Sequence, residues 1–177
     1  FTGNLGRLQR VPLLINAIKE YKQKGGCLEF FFAGGGVFSD QIFELSKDNS
    51  LVNYYGLVSP EQAGYISSKY EWALAPIEDQ VTRYSFPSKL SSYIYSGAKI
   101  LTICSDETSV AKWVKSNRTG IVVAPTLDAI VDIFFKIENC YIDPTLINLD
   151  QKELKKKLHM NQFVKNVTSQ IFSLYNL

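Results

Sequence analysis

The sequence predicts an α/β fold, a Rossmann-like three-layer α/β/α sandwich with a parallel sheet of about six strands, plus C-terminal helices. Short apolar runs alternate with helical patterns through residues 1–149, and Gly or Pro flanks most of these runs. Runs of this kind, rich in aromatic or branched residues, are typical of buried strands. Strands that alternate with helices form βαβ units, in which helices cover both faces of a parallel sheet.

The predicted strands are the opening segment and five apolar runs. Phe1 and Thr2 are typical of the end of a strand, and because the chain opens there without a methionine, we expect the complete gene product to be longer. The five runs span residues 28–33, 51–55, 71–75, 99–104 and 120–124.

The predicted helices have apolar residues that recur on one face, which is the main sequence signal of an amphipathic helix. Shorter helices are expected after Ser39–Asp40 and after residues 105–108, because both segments contain side chains able to cap a helix. The two clearest stripes are Leu13, Leu14, Ala17, Ile18 and Tyr21, and Leu127, Ile130, Val131, Phe134 and Ile137.

One further helix, predicted to begin at Pro87 and Ser88 and to end at Gly97, is the most informative segment. Proline loses no hydrogen bond in the first turn, and a serine hydroxyl can accept an unpaired N–H. Lys89 lies in this turn, where the helix dipole disfavours a cation. An anion that shares the site would explain the lysine, and an ordinary exposed lysine is the alternative. This segment gives the first indication of a phosphate-bearing ligand.

Composition narrows the classes of function. The 177 residues are 46% hydrophobic and 20% charged, which is sufficient for the core of one globular domain. A net charge of +2 argues against a nucleic-acid partner, and no apolar run approaches the roughly 20 residues needed to span a bilayer. Cys27, Cys104 and Cys140 are unclustered, which favours reduced core or near-core thiols in a reducing compartment over disulfides or metal ligands.

The last segment, residues 150–177, breaks the alternation and is predicted to form one or two helices. Its apolar face, from Phe163 to Leu174, must cover this sheet or a missing neighbouring domain. Its cluster of lysines indicates a solvated helix face or, as an alternative, contact with an anionic membrane. These lysines are Lys152, Lys155, Lys156 and Lys157.

Ligands of doubly wound sheets bind beyond the carboxyl ends of the strands, so the loops that follow strands are the candidate sites. The Gly3–Gln9 loop fits a phosphate, with Arg7 as its charge partner, and equally fits a plain tight turn. Gly34–Gly36 lacks the G-x-G-x-x-G spacing, which favours a simple turn. The backbone at Gly56 could hydrogen-bond the edge of a base or simply end a strand.

The fourth candidate is the loop that leads to Lys89, with Arg83 upstream. Glu78 and Asp79 in the same loop are more typical of a solvated loop than of an acid/base pair. The sequence contains no G-x-S-x-G, no Walker motif and no metal-ligand spacing, and His159 in the tail is interpreted as a structural or surface residue. We therefore assign no catalytic residue and expect no metal or other cofactor.

Taken together, these loops resemble the C-terminal, donor-binding domain of GT-B glycosyltransferases of the family-4 type, particularly bacterial capsule and O-antigen sugar transferases. A "GNLGxxQ"-like turn is matched at Gly3–Gln9, and a "PSKLxxYxxxG" segment is matched at Pro87–Gly97. An "aGgG"-like turn, a "yxGxv"-like turn and "nrtGivv" fall in the same order, at 33–36, 54–58 and 117–123. The ordered set covers nearly the whole chain.

The resemblance implies a nucleotide-sugar site. The Gly3–Gly6 turn would meet the diphosphate, Arg7 and Lys89 would neutralise its charge, and the Gly56–Leu57 backbone would meet the base. The substrate-binding candidates are Gly3, Asn4, Gly6, Arg7, Gln9, Gly56, Leu57, Ser88, Lys89 and Ser92.

Two positions depart from the family pattern. Ser92 stands where many relatives have a glutamate that grips the ribose, and Tyr84 stands at the position of a second glutamate. Glu78 or Asp79 is the candidate substitute from the loop. These departures bear on the donor contacts and on catalytic competence.

The resemblance also implies that residues 1–149 form the nucleotide-sugar-binding half of a GT-B enzyme and that the tail packs on the sheet or on an N-terminal acceptor-binding domain. Such an enzyme would be cytoplasmic, peripheral at the inner face of the membrane. It would transfer a hexosyl or N-acetylhexosaminyl group from a nucleotide diphosphate donor, with a UDP-sugar favoured, to a saccharide or lipid-linked acceptor in surface polysaccharide biosynthesis. This half alone would be inactive. A nucleotide-sugar epimerase and a non-catalytic, partner-stabilising module are the alternatives.

Overall fold

The computed structural model describes residues 1–83, 87–148 and 150–158 of the chain. Strands and helices alternate through these residues as the sequence predicts. The strands are β1 (Phe30–Phe32), β2 (Val52–Tyr54), β3 (Trp72–Pro76), β4 (Lys99–Ile103) and β5 (Gly120–Val123). The helices are α1 (Val11–Gln23), α2 (Ser39–Asp48), α3 (Pro60–Ser68), α4 (Lys89–Ser96), α5 (Ser109–Ser116), α6 (Leu127–Glu138) and α7 (Lys152–Leu158), with short 3₁₀ turns at Arg7–Gln9, Val81–Arg83 and Pro144–Leu146.

All of the strand pairs are parallel. β1 pairs with β2, and Phe30 lies opposite Val52. β3, β4 and β5 form a second ladder in that order, in which Trp72 lies opposite Lys99. The α/β class with parallel pairing is therefore confirmed.

The number of strands is smaller than predicted. The described residues contain five strands instead of about six, because the opening segment contributes only one parallel bridge, between Thr2 and Ala33. Phe1 and Thr2 supply the carboxyl end of this segment, and Gly3, with a φ of 113° in the left-handed region, begins the loop that follows it. Two residues before the loop are too few to count as a sixth strand.

Helices cover both faces of the strands. Along β4, Leu101 and Ile103 belong to one apolar cluster and Ile100 to the other, because neighbouring strand residues point to opposite faces. The first cluster includes side chains of α1, α2 and α6, and the second includes side chains of α4 and α5. This arrangement produces the three predicted layers.

The helix boundaries follow the sequence signals except at the starts of α2 and α4. The prediction that Ser39 and Asp40 cap α2 is wrong, because α2 begins at Ser39 itself and has no side-chain cap. The Thr108 hydroxyl caps α5 by accepting a hydrogen bond from the Ala111 N–H, and Gly97 ends α4 in a left-handed conformation with φ 83°. Ser88 precedes α4, but its hydroxyl makes no capping hydrogen bond. Its backbone is already helical, with φ −58° and ψ −28°, whereas a capping serine is normally extended.

The cysteines do not share one environment. Cys104 is buried, and its sulfur lies 3.1 Å from the Thr108 hydroxyl. Cys27 and Cys140 are exposed. The prediction of core or near-core positions is therefore right for Cys104 and wrong for the other two, which lie in connections that follow α1 and α6 instead of in the neighbouring apolar runs.

The first turns of the tail lie against α4. Leu154 and Leu158 of α7 pack on the second apolar cluster, and the Tyr95 hydroxyl donates to the Lys155 carbonyl over 2.9 Å. Lys152 and Lys156 are exposed. The rest of the predicted tail, with His159 and the face from Phe163 to Leu174, lies outside the described residues. Among the described helices, none combines the length and the apolar character that a membrane crossing requires.

A buried tyrosine joins the opening segment to β3. The Tyr93 hydroxyl accepts a hydrogen bond from the Thr2 N–H over 3.1 Å and lies 3.2 Å from the Leu74 carbonyl and 3.3 Å from the Thr2 carbonyl, to one of which it donates. Tyr93 is 1% exposed, so no water can replace these bonds without opening the core. One side chain of α4 therefore satisfies backbone groups on both sides of this junction.

We expect Tyr93→Phe to lower the free energy of unfolding by about 1–3 kcal/mol, because it leaves buried backbone groups without a hydrogen-bond partner. The measurement is urea unfolding followed by tryptophan fluorescence. Tyr95→Phe on the same helix is the matched control: its hydroxyl is exposed, and the expected change is about 0.5 kcal/mol or less. Equal stability of the two variants would contradict this role of Tyr93.

Candidate functional site

A cleft of about 590 Å³ opens between the opening loop, α3 and the first turn of α4. The opening loop and α4 contribute its polar side chains, whereas α3 contributes small residues. The lining residues are Thr2, Gly3, Asn4, Gln9, Pro60, Ala63, Gly64, Ser67, Ile77, Val81, Pro87, Ser88, Lys89 and Ser92.

The ammonium of Lys89 is the principal charge of the cleft. Its Nζ atom is buried without a hydrogen-bond partner among the described residues and lies 4.0 Å from the centre of the Phe1 ring. It also lies over Gly3, where an added Cβ would be 3.9 Å from Nζ. Burial lowers the pKa of Lys89 from 10.5 to about 8, because desolvation penalises the charged form. The cleft thus contains a cation that no described carboxylate neutralises.

The opening loop is held by the three glycines that follow β1. The Gly3 N–H donates to the Ala33 carbonyl and the Leu5 N–H to the Gly35 carbonyl, each over 2.8 Å. Gly34 has φ 134°, and an added Cβ would lie 1.9 Å from the Gly3 carbonyl oxygen. This turn therefore serves the close approach of two backbones, a more specific role than the simple turn that the spacing favours.

Side-chain amides shape the loop itself. The Gln9 Oε1 atom accepts a hydrogen bond from the Gly6 N–H over 3.1 Å. An added Cβ on Gly6 would lie 2.8 Å from the Asn4 Nδ2 atom and 2.8 Å from Gln9 Oε1. Gly6 therefore lets Asn4 and Gln9 come together at the edge of the cleft.

The remaining polar lining is uncharged. The Thr2 and Ser67 hydroxyls lie 3.4 Å apart and link the opening segment to α3, and Ser88 and Ser92 add two hydroxyls from α4. Among the described lining residues there is no Asp, Glu or His. Hydroxyls, amides and one buried cation are suited to a ligand that combines hydroxyl groups with negative charge.

Six of the predicted candidates line this cleft: Gly3, Asn4, Gln9, Ser88, Lys89 and Ser92. The other four, Gly6, Arg7, Gly56 and Leu57, do not. Gly6 lies directly beside the side chains of Asn4 and Gln9, and Arg7 is exposed in the 3₁₀ turn that follows.

Gly56 and Leu57 lie next to the glycine turn. The Gly56 carbonyl accepts a hydrogen bond from the Gly34 N–H over 2.7 Å. The Leu57 side chain is 85% exposed and covers Gly35, where an added Cβ would lie 2.8 Å from it. The contact of these two residues with a base stays a prediction.

The sequence did not lead us to predict that α3 forms one side of the cleft. Pro60, Ala63, Gly64 and Ser67 line the cleft, and their spacing of three, four and seven residues is that of one helical face. The signal that could have found them is this row of small residues directly after the Ser59–Gln62 capping box. Small side chains there leave room for a ligand.

The carboxylates proposed as substitutes for the family's glutamates are held elsewhere. Arg10 forms ion pairs with Glu78 over 3.1 Å and with Asp79 over 3.0 Å. Asp79 also accepts hydrogen bonds from the N–H and the hydroxyl of Ser105. Burial raises the pKa of Asp79, but the Ser105 hydrogen bonds and the Arg10 charge outweigh it and hold this pKa below its usual value. Neither carboxylate lines the cleft, whereas Tyr84 and the Arg83 side chain lie outside what the structure describes.

The described residues contain no cluster of three or more His, Cys, Asp or Glu side chains that could hold a metal ion. The cleft can offer an anion its buried ammonium, its side-chain amides and its neutral hydroxyls. With these groups it can bind and orient a ligand and stabilise negative charge.

No family model and no curated protein matches this sequence. Solved structures do match it. A point mutant of S. aureus TarM, in complex with fondaparinux, alpha-GlcNAc-glycerol and UDP, is 12% identical with a TM-score of 0.67, over 99% of this chain and 35% of that chain. Anabaena Alr3699/HepE, in complex with UDP, is 14% identical with a TM-score of 0.65, over 97% of this chain and 48% of that chain.

This chain thus spans less than half the length of the proteins that it matches. At these identities the likeness shows the fold alone. The chain has the Rossmann-like α/β fold of GT-B glycosyltransferases, as the resemblance of the loops predicts.

We expect Gly34→Ala to lower the free energy of unfolding by about 2 kcal/mol or more, because the new methyl group collides with the Gly3 carbonyl at a positive φ. Thermal unfolding checks this expectation. Gly64→Ala in α3 is the control, since an added Cβ meets nothing within 4 Å there and alanine stabilises a helix interior by about 0.5–1 kcal/mol. Unchanged stability of Gly34→Ala would show that the two backbones are not in contact.

Proposed function

We propose that this chain is the nucleotide-sugar-binding half of a glycosyltransferase. The single observation that carries the proposal is the buried ammonium of Lys89, which has no hydrogen-bond partner in the part of the chain that the structure describes and faces a cleft lined by hydroxyls and amides. UDP is present in the two matching structures described above, and a nucleoside diphosphate has the charge and hydroxyl groups that this cleft suits.

In the proposed reaction, the bond between the anomeric carbon of the sugar and the β-phosphate oxygen breaks. Its electron pair leaves with the nucleoside diphosphate. The acceptor hydroxyl oxygen forms the new bond to the anomeric carbon and loses its proton to a base that the described residues do not identify. The phosphate gains negative charge as this bond breaks, so fixed cations and N–H donors stabilise the transition state.

The site residues have separate roles in this proposal. Lys89 neutralises the diphosphate, and the first turn of α4 adds the positive end of its helix dipole. The Gly3 backbone approaches the phosphates closely, since glycine presents no side chain there. Ser92 offers the ribose a hydroxyl in the place of a carboxylate, and Gly56 and Leu57 meet the base.

The finer proposal concerns the whole enzyme. We propose a family-4-type transferase of the capsule or O-antigen subgroup that moves a hexosyl or N-acetylhexosaminyl group from a UDP-sugar to a saccharide or lipid-linked acceptor. An N-terminal domain would hold the acceptor, and no metal would be required. The exposed Lys152 and Lys156 of α7 suit peripheral contact with the anionic inner face of the membrane.

A non-catalytic, partner-stabilising module is the second candidate. It is favoured by the hydroxyl of Ser92 in the cleft and by the engagement of Glu78 and Asp79 with Arg10. An epimerase requires acid/base groups at the sugar, and the described lining residues supply neither a carboxylate nor a histidine. Binding measurements can distinguish such a module from an enzyme, because they show whether the site discriminates among ligands and whether binding requires Lys89.

We expect the full-length protein to bind UDP, and Lys89→Met to weaken that binding about tenfold or more, because a charge-assisted contact is lost. Isothermal titration calorimetry with UDP and with GDP measures both effects. Lys112→Met on α5 is the control, because this lysine is exposed and does not line the cleft. No binding of either diphosphate at millimolar concentration would end the proposal, and full affinity of Lys89→Met would remove its central contact.

A further inference from the structure

The environment of Lys89 leaves its charge uncompensated. Among residues 1–83, 87–148 and 150–158, no acceptor reaches the buried Nζ atom, which has the Phe1 ring on one side and the Gly3 backbone on another. The ring attracts a cation weakly compared with a carboxylate or a phosphate. Removal of an unpaired charge from water costs free energy. The surroundings of Lys89 in the cleft therefore favour its neutral amine more than water does.

The charged groups on the elements packed around Lys89 do not change this balance. Arg10 is paired with Glu78 and Asp79, so neither carboxylate is available to neutralise Lys89. Glu61 of α3 accepts a hydrogen bond from Ser59 at the start of its own helix. The remaining charged side chains that the structure describes on these elements, Arg7 and Lys69, are cationic.

We propose that the cleft takes up a proton when it binds its diphosphate. This proton converts the neutral amine of Lys89 to an ammonium as the anion enters. This inference rests on the proposed function, because it concerns the same site and the same ligand. In the free protein a fraction of the chains hold Lys89 as a neutral amine. The bound phosphate supplies the missing counter-charge, and the amine then takes a proton from the solvent.

The sign of the pH dependence follows from the lowered pKa of Lys89, about 8 in the free protein. An adjacent anion raises the pKa, so proton uptake occurs above pH 7, and the affinity falls as the pH rises past 8. The terminal phosphate of UDP has its last pKa near 6 and is already ionised in this range. Uptake above pH 7 therefore reports on the protein and not on the nucleotide.

The experiment is titration of the full-length protein with UDP in pairs of buffers that differ in ionisation enthalpy, at pH 7, 8 and 9. We expect the uptake per UDP bound to rise from about 0.1 proton at pH 7 to about 0.9 proton at pH 9. Over the same interval the affinity should fall by about fivefold or more.

Two variants make the result specific to Lys89. Lys89→Arg keeps a charge that does not titrate in this range, so it should bind UDP with no uptake. Lys89→Met should bind more weakly and also without uptake. UDP binding with no buffer dependence at pH 9 would overturn this inference and leave the proposed function intact, whereas absence of UDP binding would overturn both. Uptake that persists in both variants would assign the proton to another group and overturn the role of Lys89.

Discussion

The candidate site depends on a buried ammonium that has no counter-ion among the described residues. Lys89 is placed in the cleft by the first turn of α4 and is confined there by Phe1 and Gly3. An exposed lysine at the same position would gain little from an anion, because water already solvates it. The fold imposes a free-energy penalty on the Lys89 ammonium by removing it from water. An anion that enters the cleft removes this penalty, so desolvation makes Lys89 selective for anions.

The same helix builds the site and stabilises the sheet beside it. Lys89 and Tyr93 lie four residues apart on α4 and therefore share one face. The Tyr93 hydroxyl holds Thr2 and Leu74, and the next residue after Thr2 is the glycine that faces Lys89. The position of the ammonium relative to the opening loop is therefore fixed through the core, and the glycine turn after β1 fixes the loop from its other side.

The sequence predicts those features of the fold that depend on local pattern. The order of strands and helices, the apolar stripes of α1 and α6 and the end of α4 at Gly97 all arise from spacing and turn residues. Six of the ten candidate site residues come together because they lie in the loops and first helical turns that follow the opening segment and β3.

Features that depend on contacts between distant residues are not visible in the sequence. The pairing of Arg10 with Glu78 and Asp79 joins residues about seventy positions apart, and nothing local to the two carboxylates indicates it. The small residues of α3 become a cleft wall only because α3 lies beside α4. The contact of the opening loop with the glycine turn after β1 likewise joins residues about thirty positions apart.

Titration of Lys89 itself by NMR tests this account most directly. The full-length protein carries ¹³C-labelled lysine, and the Lys89→Arg variant assigns the Lys89 resonance. The account predicts that the Lys89 Cε resonance titrates near pH 8 in the free protein, below the other lysines, and that saturating UDP moves its midpoint toward theirs. A Lys89 resonance that titrates together with the surface lysines without UDP would contradict the account.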